Sequence, residues 1–413
     1  MPLVKNSSPL ASPRSIDWLL FVALIPILSA GFVTLYSFKM ESAPCMATSL
    51  EGSLTGTVTC DEKSVATSST LFSKQLIWLC LSLLVFFAGS FIDWRFLRRS
   101  NVLFGLFLGG CGLLLALYLL GTTRGIHGWF DLGAFSVQPV ELVKLILILV
   151  LAKYFSRRHI EIAHVRHILI SGLYAFILFL LVLLQPDFGG ALVIACIWFG
   201  MVMFSGISKK HLLSVLLVGT LSGLFLWVYV FKDYQKQRLI TFIHPLTDIR
   251  GTGYNAYQSM VAVGSGGLLG KGVGLGSQSR LQFLPEYETD FIFAAFAEEW
   301  GFVGVIILSL CYALLVWRIL RNAMLGLSNF EILYGLGLAI LIMSHFLIHV
   351  GMNIGLLPVT GITLPFMSYG GTNLLTLFAG LGILMGMRRY RRIAHKEEMQ
   401  NEFVGAITDE KLT

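Results

Sequence analysis

Residues Trp18–Phe38 read WLLFVALIPILSAGFVTLYSF. The run carries no charged side chain, and a helix of about twenty residues crosses a hydrocarbon layer about 30 Å thick. Lys5 and Arg14 precede it, as basic residues precede a secretory leader. The apolar part of such a leader is only about 7–15 residues long, so this run is read as an uncleaved first span. Similar windows recur about ten times along the chain, near 17–38, 73–92, 102–121, 137–154, 167–184, 188–206, 211–231, 289–317, 329–351 and 368–387. The fold class expected is therefore all-α, a polytopic membrane protein with about ten transmembrane helices and a large extracytoplasmic loop between the seventh and eighth.

Composition agrees. Of 413 residues, 56% are hydrophobic and 13% charged, against about 25% charged in soluble domains, which excludes a water-soluble enzyme. The 42 Gly and 11 Pro are scattered rather than periodic, which excludes a collagen-like or disordered chain. In a soluble protein the net charge of +7 would suggest a nucleic-acid partner. Here its distribution matters more, and no nucleic-acid partner is expected. Ten spans put both termini on one side. If that side is the cytoplasm, nineteen of the thirty Lys and Arg residues lie inside, as the positive-inside rule requires. One membrane domain is expected over 17–388 with its outer loop at 232–288, flanked by cytoplasmic tails at 1–16 and 389–413. Cys45 and Cys60 lie in the outer loop between the first two spans, as a disulfide worth about 3 kcal/mol or as two free thiols.

Ionisable residues at membrane depth are few, and each costs at least about 2.5–3.5 kcal/mol unless paired or wet. Glu141 and Lys144 are three apart, so they share a helix face and can neutralise one another. Glu298 and Glu299 fall about two turns into the eighth span, and as neighbours at most one of them can face a cavity squarely. His345 and His349 have the i, i+4 spacing of a metal pair without the HExxH glutamate, and interhelical hydrogen bonding is the favoured reading.

The outer loop is the richest segment. It contains Gly264, Gly266, Gly267, Gly270, Gly272, Gly274 and Gly276 with Ser265 and Lys271 among them. The series does not match a Walker motif, because no Ser or Thr follows Lys271. A backbone anion cradle and a re-entrant, tightly turning segment are equally compatible with it. Arg238, Gln258, Ser259, Ser265, Lys271 and Gln278 are the candidate substrate contacts. Asp290 stands where this loop meets the apolar run Phe291–Ala294. An acid at a helix start is often only dipole-stabilising. Thr289 is available to cap, however, and the position suits a base acting on a substrate with a wet sugar and a tail in the bilayer.

Six stretches together resemble one family: QPVELVK (138–144), QPDFGGA (185–191), QSMVAVGSGGLLG (258–270), FLPEYETDFIFA (283–294), EEWG (298–301) and LPVTGITLPFMSYGG (357–371). In this order they are similar to the SEDS family, the peptidoglycan polymerases RodA and FtsW and their sporulation relatives. GKG (270–272) and GSQSRLQFLPE (276–286) look more like the RodA, elongation branch than the FtsW, division branch. The resemblance implies a glycosyltransferase of the cytoplasmic membrane acting on lipid II, a disaccharide-pentapeptide on undecaprenyl pyrophosphate. It also implies that Asp290 is an essential outer-face carboxylate and that Glu141 and Lys144 are functionally critical. A class B penicillin-binding protein, the crosslinking transpeptidase, is the partner it implies.

The mechanism expected has Asp290 as general base for the acceptor hydroxyl, in one inverting displacement. Arg238, Lys271 or a divalent cation (Mg or Mn) would meet the leaving charge, and Arg238 is first choice because a guanidinium holds phosphate oxygens in pairs. The metal itself is unknown from sequence. A lipid II flippase is the alternative from another class, with the intramembrane carboxylates and histidines lining a polar path. A scaffold for another enzyme is the third reading.

Overall fold

The computed structural model describes residues 17–41, 62–120, 128–131, 136–156, 165–206, 209–229, 253–280, 283–284, 286–326 and 328–389, with positions 236, 240 and 242. The tails at 1–16 and 390–413, Cys45, Cys60 and Arg238 lie outside the described residues.

Each expected span has a helix. They are α1 (Trp18–Glu41), α2 (Glu62–Phe91), α3 (Ser100–Leu120), α4 (Pro139–Ser156), α5 (Val165–Leu184), α6 (Phe188–Phe204), α7 (Lys209–Tyr229), α10 (Ile292–Met324), α11 (Asn329–Asn353) and α12 (371–389). Within the outer loop lie α8 (Tyr254–Ser265) and the short α9 (Ser277–Arg280). A two-residue ladder pairs Phe130–Asp131 with Ser136–Val137 just ahead of α4. Among the described residues, seven helices are long and apolar enough to cross a bilayer. Helix α6 is 17 residues long and so shorter, and α4 carries Glu141, Lys144 and Lys153.

Helix α4 is the hub. Most of its residues are buried, and it packs against α3, α6 and α11. A helix apolar nearly all round belongs inside a bundle. Many large side chains of α1, α3, α5 and α10 are exposed instead, as lipid-facing helices require. One end of the bundle is fastened by acids. Asp17, just before α1, accepts from Arg318 Nη2 at 2.6 Å and from Asn322 at 2.7 Å, with Arg388 3.5 Å away. Glu331 pairs with Arg98.

Helix α10 is broken at Gly301, whose φ of 65° and ψ of −169° are not helical. A break deep in an apolar helix strands carbonyls and N–H groups that nothing in a hydrocarbon layer can satisfy. The glycine loop satisfies them. Lys271 N donates to Glu298 O and Gly272 N to Glu299 O, both at 3.0 Å, while Phe302 N donates to Gly267 O at 2.9 Å and Val303 N to Leu268 O at 3.1 Å. Backbone must lie against backbone for this. A Cβ on Gly270 would sit 2.1 Å from Glu299 O, and one on Gly301 would sit 2.2 Å from Gly270 N. Of the two readings of the glycine series, the re-entrant turn is the one adopted.

The Gly301→Ala substitution combines a positive φ with that clash, so it should cost at least about 1–3 kcal/mol. A marked fall in the thermal midpoint in detergent is the expected result. Gly105→Ala, on α3 with open space around it, serves as the control and should leave the midpoint unchanged or slightly raised.

Candidate active site

The turn ahead of α10 is organised by one strained residue. Glu286 has φ 48°, and its carbonyl accepts from Thr289 N at 3.2 Å, Asp290 N at 3.0 Å and Phe291 N at 3.3 Å. Asp290 follows, half-buried, two residues before the helix begins. It is therefore not a first-turn acid. Nor does Thr289 cap the helix, because its hydroxyl turns back to Glu286 O at 3.4 Å. The cap comes from Asn353, the last residue of α11. Its Oδ1 accepts from Ala294 N at 3.3 Å and its Nδ2 donates to Asp290 O at 3.1 Å. Ser259 of α8 donates to the Asn353 carbonyl at 2.9 Å and to Oδ1 at 3.1 Å. Ser259 is thus buried and structural in its contacts, while Gln258 beside it is half-buried.

The loop joining α11 to α12 forms the other wall. Ser368 Oγ donates to Thr289 O at 2.8 Å and Tyr369 N to Glu288 O at 2.9 Å. A Cβ at Gly361 would stand 3.6 Å from Asp290 Oδ2, so the carboxylate faces bare backbone there. The same loop is held from below by the two histidines. His349 Nδ1 lies 2.6 Å from Ile362 O, and His345 Nδ1 lies 3.2 Å from Thr363 O. Lys144 Nζ bridges Glu141 Oε1 at 2.7 Å and His345 Nε2 at 3.0 Å. A Lys ammonium offers only protons, so His345 accepts at Nε2 and donates from Nδ1 to the carbonyl. The Glu141–Lys144 pair and Asp290 thereby belong to one connected assembly, with residues 361–363 between them. Gln138 joins it at the top of α4, where its backbone N–H donates to Thr372 Oγ1 at 3.2 Å and its Nε2 to Asp187 Oδ2 at 3.4 Å.

Lys271 is held elsewhere. Its ammonium donates to Glu298 Oε1 at 2.6 Å and to Ser277 Oγ at 2.8 Å. Ser265 Oγ at 3.3 Å and Gln278 N at 3.2 Å complete the ring of donors around the buried Glu298 carboxylate. Glu299 is also buried, accepting from Ser37 Oγ at 2.8 Å and Gly274 N at 3.0 Å. The N–H groups of Lys271, Gly272, Gly274 and Gln278 thus all meet oxygens of Glu298 or Glu299, and these four do not form an anion cradle. Asn353 was not picked out from the sequence, and Asp187, Gly361 and Ser368 entered only as members of the family-like stretches 185–191 and 357–371. Asn353 left one signal, an amide at the very end of an apolar span.

The FtsW/RodA/SpoVE family model, described as cell cycle protein, matches residues 52–393. The chain belongs to this family. Peptidoglycan glycosyltransferase MrdB of Escherichia coli (strain K12) is 38% identical over 286 residues, which cover 69% of this chain and 77% of that relative. Stage V sporulation protein E of Bacillus subtilis (strain 168) is 35% identical over 331 residues, 78% of this chain and 88% of its own. A chain of a peptidoglycan synthase complex that coordinates polymerization and crosslinking superposes with a TM-score of 0.71 at 30% identity, covering 91% of this chain and 98% of its own. The rod shape determining protein RodA of Thermus thermophilus gives 0.63 at 30% identity, covering 91% and 97%. All six motifs read from the sequence fall within the matched FtsW/RodA/SpoVE region. Three of them contribute to the Asp290 assembly, 283–294 with the turn itself, 357–371 with Gly361, Thr363 and Ser368, and 138–144 with the Glu141–Lys144 pair, while Asn353, His345 and His349 lie outside all six.

Burial, with Glu286 nearby, raises the Glu288 carboxyl to about 7. The group holds its proton longer in the folded state than in the unfolded chain, so its ionisation lowers stability as pH rises from about 4.5 towards 7. In the Glu288→Gln variant the thermal midpoint should fall less steeply over that interval than in the parent. Identical slopes for the two proteins would refute the assignment.

Proposed function

We propose that this chain polymerises lipid II into glycan strands at the outer face of the cytoplasmic membrane, with both termini inside the cell. Asp290 takes the proton from the acceptor sugar's hydroxyl. The oxygen attacks the donor's anomeric carbon, the bond to undecaprenyl pyrophosphate breaks, and the configuration inverts. One base suffices, since no covalent glycosyl intermediate is formed. The observation that carries this reading is the Asp290 carboxylate itself. Asp290 is half-buried at the boundary of polar turn and apolar helix, its carboxylate faces Gly361, and its backbone and that of Thr289 are fixed by Asn353, Ser368 and the Glu286 turn. Catalysis by a positioned base needs this kind of rigid mounting.

The leaving pyrophosphate needs cationic partners. Arg238 remains the first candidate, and Lys271 would have to share its charge with Glu298. Among the described residues no three His, Cys, Asp or Glu side chains gather into a set able to hold a metal. The GKG and GSQSRLQFLPE stretches favour the elongation role over the division role. A class B penicillin-binding protein is the expected partner, in keeping with the crosslinking named for the structural relative.

Purified Asp290→Asn protein, given lipid II in detergent, should make no glycan strands, a loss of at least about 100-fold, while its thermal midpoint stays near the parent's. Lipid II supplied this way needs no flipping, so strand synthesis by the parent also separates polymerase from flippase. Polymerisation retained by a well-folded Asp290→Asn protein would remove the general-base role.

A further inference from the structure

At the far end of α4 from Gln138, a cleft of 370 Å³ opens between α3, α4 and α5. It lies about 20 Å along the helix from the Asp290 assembly and shares no residue with it. Its rim is polar, with Ser100 and Asn101 from the first turn of α3 and Lys153 from the last turn of α4. Its wall is aromatic. Phe107 meets Tyr174 edge-on at 5.2 Å, and Tyr154 is fixed by a hydrogen bond to His167 Nδ1 at 2.9 Å. Phe104 lines the cleft yet is 56% exposed, and Leu108, one turn along the same face of α3, is exposed as well. The cleft is therefore open on the apolar side of α3, where a bilayer component has access.

Charge narrows the occupant. Among the described residues, Lys153 is the one charged side chain lining the cleft, and exposed Arg99 and Arg166 stand at the same ends of α3 and α5. Polar rim and aromatic depth, separated by about 10 Å of helix rise, match a headgroup above an acyl chain. Basic pockets between spans on this type of surface hold anionic headgroups. The volume falls within the roughly 300–1,000 Å³ of small-molecule sites. We propose that this cleft is a binding site for an anionic phospholipid. Its phosphate lies against Lys153, Ser100 and Asn101, and one chain runs over Phe104 and Phe107. The proposal does not depend on the polymerase reading.

Native mass spectrometry of the full chain, from equal mixtures of phosphatidylglycerol and phosphatidylcholine with the same acyl chains, tests it. The parent should retain phosphatidylglycerol about five-fold over phosphatidylcholine. Lys153→Gln should bring the ratio to about one, and so should Asn101→Trp, which fills the rim without changing charge. Lys210→Gln, the same charge change on α7, should leave the ratio as it was, as should Asp290→Asn. Equal retention of both lipids by the parent would overturn the proposal, as would equal effects of Lys153→Gln and Lys210→Gln. Displacement of phosphatidylglycerol by equimolar undecaprenyl phosphate would reassign the cleft to the carrier lipid.

Discussion

A backbone at membrane depth must have every N–H and C=O satisfied by protein, and much of this structure follows from how that demand is met at one place. The break at Gly301 removes local partners from four backbone groups, and the glycine loop supplies partners to all four. Side chains would hold the two backbones apart, which is why Gly266, Gly270 and Gly301 stand at the points of closest approach. The two carboxylates just ahead of the break then anchor the loop's remaining donors. Glu298 gathers Lys271, Ser277 and the Gln278 N–H, and Glu299 gathers Ser37 and the Gly274 N–H. Lys271 is the one cation among these partners, and its removal would leave the buried Glu298 carboxylate without a counter-charge, at about 3–5 kcal/mol.

The same logic, applied one helix away, mounts the candidate base. Asn353 ends α11 and caps α10 while holding the Asp290 carbonyl, so three segments share one amide. The loop after α11 is carried on His345 and His349 and reaches Asp290 at a glycine. Lys144, deep in the bundle and only 2% exposed, therefore bears on the geometry at Asp290 through a ring and a peptide carbonyl.

Hydropathy made the spans legible, since an apolar run of the right length has few other uses, and helices occupy each expected stretch. The Glu141–Lys144 pair was legible for a local reason, the i, i+3 spacing. Of the two histidines, His345 does bond to another helix, through Lys144, whereas His349 bonds to Ile362 O in the loop that follows its own helix. Contacts between distant segments were not legible. Nothing near Thr289 reveals that a residue more than sixty positions later caps the helix in its place. The glycine series announced a special backbone but not its partner, because the groups it binds are main-chain atoms that carry no sequence signal. Lys271 looked available in the sequence for the same reason, as Glu298 lies 27 residues away.

The acid clasp at the other end of the bundle bears on how the molecule is made. Asp17 enters the membrane with the first helix, but Arg318 follows it by 301 positions and Arg388 later still. Until those arginines leave the ribosome the carboxylate has neither of them for company. A helix made well before the arginines that clasp its acid is consequently locked only once they have followed, and this closure is a late step of biogenesis relative to the insertion of α1.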